Sequence, residues 1–164
     1  MIAIPEWLDD QLRRSFEGDA WHGPAVREAL DGIDATRAAA RPVPGAHSIW
    51  ELVLHLGATY RVVLRRLAGE SAQLTPEEDW QKVPDATEVN WRTTIDRLAA
   101  LNRELRDAVR RFPVERLDQP LVPSPTYAAI TQFIGITQHD LYHAGQIVLL
   151  KRAIERGHIR RPDP

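Results

Sequence analysis

Two histidines four residues apart are the residues of this sequence best suited to chemistry. His139 and His143 lie in the run QHDLYHAGQ, which is typical of a helix. A spacing of four residues rotates a helical side chain by only about 40°, so both imidazoles project from the same face. Two imidazoles one turn apart can bind one divalent metal ion.

A third candidate ligand, His55, lies in the helical segment IWELVLHL, on the face that carries Leu52 and Leu56. If this helix packs beside the helix of the His139–His143 pair, three nitrogen atoms converge. Three protein ligands leave coordination positions open, which distinguishes a catalytic metal site from a closed structural one. The alternative is that the histidines only pack and hydrogen-bond. Buried imidazoles need partners for their nitrogens, however, and one shared metal ion would serve all three.

The composition restricts both the ligands and the partners. The chain has no cysteine, which excludes thiolate ligands, disulfides and a protein thiol nucleophile. Its net charge of −2 offers no basic field for nucleic acid or an anionic membrane. No segment approaches the roughly 20 apolar residues that span a bilayer, and no basic segment followed by an apolar one marks a signal peptide. We therefore expect a cytoplasmic protein that binds neither nucleic acid nor membrane.

Four long helices are needed to position these residues. Apolar periodicity predicts helices over residues 5–17, 49–67, 88–111 and 126–156, with short helical turns over 24–30 and 34–40. The second helix has the clearest start, because Ser48 and Glu51 form an S-x-x-E capping box. Residues 69–87 are expected to be a loop long enough for a crossover. No tract alternates with period two, so we predict an all-α four-helix bundle in one domain over residues 1–164.

The sequence gives weaker support for a role of other polar side chains at the metal site. Glu51 could accept a hydrogen bond from a ligand or act as a base, but its place in the capping box explains it better. Asp140 points about 100° away from His139, so we expect it to face solvent. Tyr142 and Gln146 could orient a ligand or serve the core.

Aromatic and histidine side chains near the breaks complete the set of candidates. The five tryptophans are more typical of core or loop anchors than of a stacking platform, but Trp50 and Trp80 could line an apolar pocket beside the metal. His22 and His47 could approach the mouth of the site, although residues at such breaks are more often exposed. His158 is expected at the surface.

The segments at residues 45–56 (GAHSIWELVLHL) and 138–147 (QHDLYHAGQI), with WHGP at 21–24, resemble the DinB/YfiT-like family. The resemblance covers essentially the whole chain. It implies a four-helix bundle with up-down-down-up topology and a divalent metal ion held by three histidines. By position these are His55, His139 and His143. It also implies a homodimer.

The reaction that the resemblance implies stays open. Members of that family include metal-dependent hydrolases, transferases and isomerases that use low-molecular-weight thiols, and DNA-damage-inducible proteins. We therefore expect a metal-dependent hydrolase or thiol-dependent transferase that acts on a small molecule with a Zn, Ni or Fe ion. The alternative is a non-catalytic, metal-binding stress-response protein. The sequence identifies no catalytic acid or base.

Overall fold

Helices make up the regular secondary structure of the computed structural model, which describes residues 3–157. They are α1 (Ile4–Phe16), α2 (Val26–Leu30), α3 (Ala35–Ala39), α4 (Ile49–Leu67), α5 (Pro76–Asp79), α6 (Glu88–Arg110), a 3-10 turn (Val114–Arg116) and α7 (Ala129–Gly157). The expectation of an all-α fold is confirmed. His158 lies outside the described residues.

The four long helices surround one apolar core. Both α1 and α4 pack against α6 and α7. Each long helix contributes an aliphatic side chain with no solvent exposure, and these are Leu12, Leu56, Leu105 and Ile147. Between residues 3 and 157, none of the helices has the length and apolar character needed to cross a membrane.

The relative direction of α4 and α6 follows from their side-chain contacts. Near the start of both helices, the indole Nε1 of Trp50 donates to Thr94 Oγ1 over 3.2 Å. Further along both, Asn102 Nδ2 lies 3.4 Å from the Tyr60 hydroxyl. The two helices therefore run in the same direction, and the long connection between them is the expected crossover. The complete up-down-down-up order stays a prediction.

The crossover contains a helical turn that the sequence analysis missed. Residues 69–87 were expected to be a loop, but α5 lies within them and packs against α4. Thr75 and Glu78 form a capping box, in which Glu78 N donates to Thr75 Oγ1 over 3.2 Å and Thr75 N donates to Glu78 Oε2 over 3.1 Å. The T-x-x-E pattern was therefore a usable signal. This turn places Asp79 and Trp80 beside α4.

The predicted bounds of α4 are confirmed at both ends. At its start, Glu51 N donates to Ser48 Oγ over 3.2 Å, and Ser48 N donates to Glu51 Oε2 over 2.7 Å. At its end, Gly69 adopts φ 92°, a conformation that favours glycine. The N–H of Glu70 can then donate to the carbonyl of Arg65 over 3.0 Å, which closes the helix in a Schellman arrangement.

Two other helices begin two or three residues later than predicted. The helix expected from residue 126 begins at Ala129, whose N–H donates to Gln119 O over 2.8 Å, while Ile130 N donates to Leu117 O over 2.9 Å. The preceding loop therefore satisfies the first amides of α7. The helix expected from residue 24 begins at Val26, because Ala25 has an extended backbone.

A buried carboxylate links the long helices and corrects the expectation for Asp140. Its side chain is not exposed to solvent but fully buried. Tyr60 OH on α4 donates to Asp140 Oδ1 over 2.8 Å, and Ser15 Oγ on α1 donates to Oδ2 over 2.9 Å. Burial raises the pKa of Asp140 to about 7, although these two hydrogen bonds act in the opposite direction. The face of α7 that carries Asp140 is therefore the one that enters the core.

We predict that Tyr60→Phe lowers the free energy of unfolding by about 1–3 kcal/mol, since it leaves a buried carboxylate oxygen without its donor. Urea denaturation followed by circular dichroism measures this change. Tyr127→Phe is the matched control, because Tyr127 is 63% exposed. Equal stability of the two variants would contradict the role assigned to the Tyr60 hydroxyl.

Candidate metal centre

The structure brings together the three histidines that the sequence singled out. His139 Nε2 lies 2.9 Å from His55 Nε2 and 3.0 Å from His143 Nε2. One nitrogen atom from each residue lies within 4.8 Å of the others, so the three could bind a metal ion. His143 is 5% exposed, and the other two are partly buried.

Two helices place these imidazoles. His55 lies in the second turn of α4, whose start is fixed by the Ser48–Glu51 capping box. His139 and His143 lie one turn apart on α7, and their rings meet edge to face with centroids 4.4 Å apart. The rotation of α7 that buries Asp140 in the core turns this pair toward α4.

The distal nitrogens of two of the histidines have oxygen partners. His55 Nδ1 lies 2.8 Å from Asp79 Oδ1, and the backbone oxygen of Asp79 is further away, at 3.3 Å. His143 Nδ1 lies 2.7 Å from Gln146 Oε1. Both oxygens are acceptors, so each Nδ1 carries the hydrogen and donates it. In contrast, His139 Nδ1 is buried and has no hydrogen-bond partner within residues 3–157.

Hydrogen bonding can account for only one of the two short contacts that His139 Nε2 makes with the other histidines. Because His55 and His143 carry their hydrogens on Nδ1, their Nε2 atoms present lone pairs. His139 Nε2 lies within 3.0 Å of both but can donate one hydrogen to only one of them. The other contact would set two lone pairs against each other. A cation among the three Nε2 atoms would satisfy every lone pair, so the donor set fits a metal ion.

The electrostatic surroundings keep two of these imidazoles in the form that binds metal. Burial lowers the pKa of His139 to about 3, and the neighbouring His143 and His55 add to the shift. Burial likewise lowers the pKa of His143, although its hydrogen bond with Gln146 opposes this. Both are therefore neutral at neutral pH, as metal ligands must be.

The site residue that the sequence analysis missed is Asp79. It lies 24 residues from His55 in the crossover, so no local spacing connects the two. The capping box of α5 could have indicated a helical turn there, but not the contact with His55. Gln146, which the sequence left open between a site role and a core role, contacts His143 one turn away.

Only some of the tryptophans and histidines proposed for the surroundings of the metal site line the cavity there. Trp80 lines the cavity at the three histidines, as does His47. Trp50 serves the core, as preferred for it, and does not line the cavity: it is fully buried and packs against Trp91, with ring centroids 5.0 Å apart. His22 is exposed and lies outside this cavity.

The expectation for Glu51 is confirmed. Its carboxylate completes the capping box and pairs with Arg41.

The comparisons with known proteins agree with this architecture. A family model described as the DinB superfamily matches residues 19–147. No curated protein matches the chain significantly. Among solved structures, a conserved protein from Enterococcus faecalis resembles it with a TM-score of 0.65 at 16% identity, over 93% of this chain and 98% of that one. That likeness concerns the fold alone. Because the family model matches most of the sequence, the chain belongs to the DinB superfamily.

Proposed function

We propose that this protein binds one divalent transition metal ion (Zn, Ni or Fe) through Nε2 of His55, His139 and His143, and that it is a metal-dependent hydrolase or thiol-dependent transferase. The observation that carries this proposal is the convergence of three Nε2 atoms, two of which present lone pairs because their Nδ1 atoms face acceptors. When bound, such an ion would supply Lewis-acid chemistry that lowers the pKa of a water or thiol molecule. The homodimer and the cytoplasmic location stay predictions.

Residues around the histidines would hold them in the binding geometry. Asp79 keeps a hydrogen on His55 Nδ1 and so directs the lone pair of His55 Nε2 inward. Gln146 does the same for His143. Such outer partners fix the tautomer and the ring orientation of histidine ligands.

A further imidazole supports catalysis over simple metal storage. A storage protein needs the ligands but no acid–base group beside them. His47 lines the same cavity as the three histidines, and its Nδ1 lies 3.8 Å from Glu51 Oε2. Glu51 is itself held by the Ser48 amide over 2.7 Å. Because its Nδ1 has no hydrogen-bond partner in residues 3–157, His47 is the candidate acid–base group of the cavity in this proposal.

The direct test of binding is metal content. We expect the untagged protein, reconstituted anaerobically with Zn, Ni or Fe, to retain about one ion per chain after desalting, since three imidazoles suffice for such a site. The double variant His139→Ala, His143→Ala should retain none. Elemental analysis measures both.

The control for this experiment is His22→Ala, which removes an exposed imidazole outside the cavity. It should retain as much metal as the unmodified protein. A native protein without bound metal after reconstitution with all three ions would disprove the proposal. Equal metal content in the double variant would instead place the ion elsewhere.

Asp79 gives a second, subtler prediction. Asp79→Ala should weaken metal affinity about 10- to 100-fold, because His55 loses the acceptor that fixes its Nδ1 hydrogen. Competition with a chromophoric chelator measures this affinity. Asp85→Ala removes an exposed carboxylate from the same crossover and should leave the affinity unchanged. The same affinity in both variants would show that Asp79 does not position His55.

A further inference from the structure

The cavity beside the three histidines is lined by apolar side chains and histidines, together with one tyrosine and one glutamine. Its volume is about 640 Å³, which is within the range of small-molecule sites. Within the described residues, no Asp, Glu, Lys or Arg side chain lines it. Its apolar lining includes Val43, Leu52, Trp80, Leu149 and Leu150.

The nearest charged groups already have partners of their own. Arg41 pairs with Glu51, and its Nη1 donates to Ala46 O over 3.0 Å. Asp79 is engaged by His55. An anionic group placed away from the three histidines would therefore leave water without finding a Lys or Arg side chain in the cavity wall, which is unfavourable.

One wall of the cavity is aromatic and held in a fixed orientation. The indole of Trp80 stacks on the His47 ring with centroids 3.5 Å apart and planes 2° apart. It also stacks on the His55 ring, with centroids 4.4 Å apart and planes 6° apart. A ligand beside the histidines thus meets preorganised rings, and aromatic rings pack favourably against one another.

We propose that this cavity takes an uncharged, mainly apolar ligand that carries an aromatic ring, with its reacting group directed toward the three histidines. This inference rests on the proposed function for the claim that the ligand is a substrate. For the thiol-transferase alternative it favours a thiol without further charges. The proposed ion would bind the thiol sulfur, but no Lys or Arg side chain of the cavity wall would pair with charges elsewhere on the molecule.

A pair of dyes that differ by one charge tests this ligand class. N-phenyl-1-naphthylamine is uncharged, and 8-anilinonaphthalene-1-sulfonate has the same ring system with an added sulfonate. We expect the metal-free chain at pH 8, prepared with a chelator, to bind the uncharged dye at least about tenfold more tightly, since the sulfonate then has no cation to pair with. Fluorescence titration measures both dissociation constants.

Trp80→Ala shows whether the dye occupies this cavity. Removal of the aromatic wall should weaken binding of the uncharged dye about tenfold, a change that corresponds to losing one well-packed aromatic contact. Trp21→Ala is the matched control, because Trp21 is 96% exposed and lies outside the cavity. Equal dye affinities in these two variants would overturn the assignment.

A second variant, designed to bind the sulfonate dye more tightly, provides a test that does not depend on whether Trp80→Ala folds. Leu149 lines the cavity and is 66% exposed, so Leu149→Arg should fold and supply the missing cation. We expect it to tighten binding of the sulfonate dye about tenfold. Val89→Arg, at a position that is 75% exposed and outside the cavity, should have no effect.

The outcomes separate this inference from the proposed function. Dye binding requires no metal, and a divalent ion on the three histidines would supply the cation that the sulfonate lacks, so the titrations are run on chelator-treated protein. Failure to bind either dye, equal affinity for the two dyes, or no gain with Leu149→Arg would overturn the ligand class. Absence of metal together with a clear preference for the uncharged dye would overturn the metal proposal alone.

Discussion

The hydrogen bonds of Asp140 constrain the rotation of α7, and the geometry of the metal centre depends on that rotation. Its carboxylate is buried and accepts hydrogen bonds from Ser15 on α1 and Tyr60 on α4. A helix rotates by about 100° per residue, so a core-facing Asp140 sets the direction of the preceding His139. His139 consequently lies at the edge of the core, beside the cavity. Because buried polar groups must keep their partners, alternative rotations of α7 are disfavoured.

The geometry of the candidate centre depends on which ring nitrogen of each histidine carries the hydrogen. Asp79 and Gln146 accept from the Nδ1 atoms of His55 and His143, which turns the lone pairs of the two Nε2 atoms inward. Partial burial and mutual repulsion keep His139 unprotonated, with its pKa lowered to about 3. The Nε2 lone pairs of neighbouring neutral imidazoles repel each other at these distances, and a cation between them would remove this repulsion. Because no Asp, Glu, Lys or Arg side chain among the described residues lines the cavity, the proposed metal site and the proposed apolar ligand both depend on one set of residues.

Local sequence patterns predicted much of this structure, but they could not predict contacts between residues that are far apart in the sequence. The capping box of Ser48 and Glu51 fixed the start of α4, and the i, i+4 spacing placed two histidines on one face of α7. The burial of Asp140 was missed because its partners lie far along the chain. Asp79 was missed for the same reason, since its contact with His55 depends on how the crossover folds.

The most direct test of the account is X-ray absorption spectroscopy of the metal-loaded protein. A three-histidine centre should show three imidazole nitrogens at about 2.0–2.1 Å from zinc, together with an oxygen or nitrogen scatterer that exchanges when a small thiol is added. Removal of His139 should reduce the imidazole count to two. A shell closed by a fourth protein ligand, or an imidazole count that is unchanged without His139, would contradict a three-histidine centre open to the cavity.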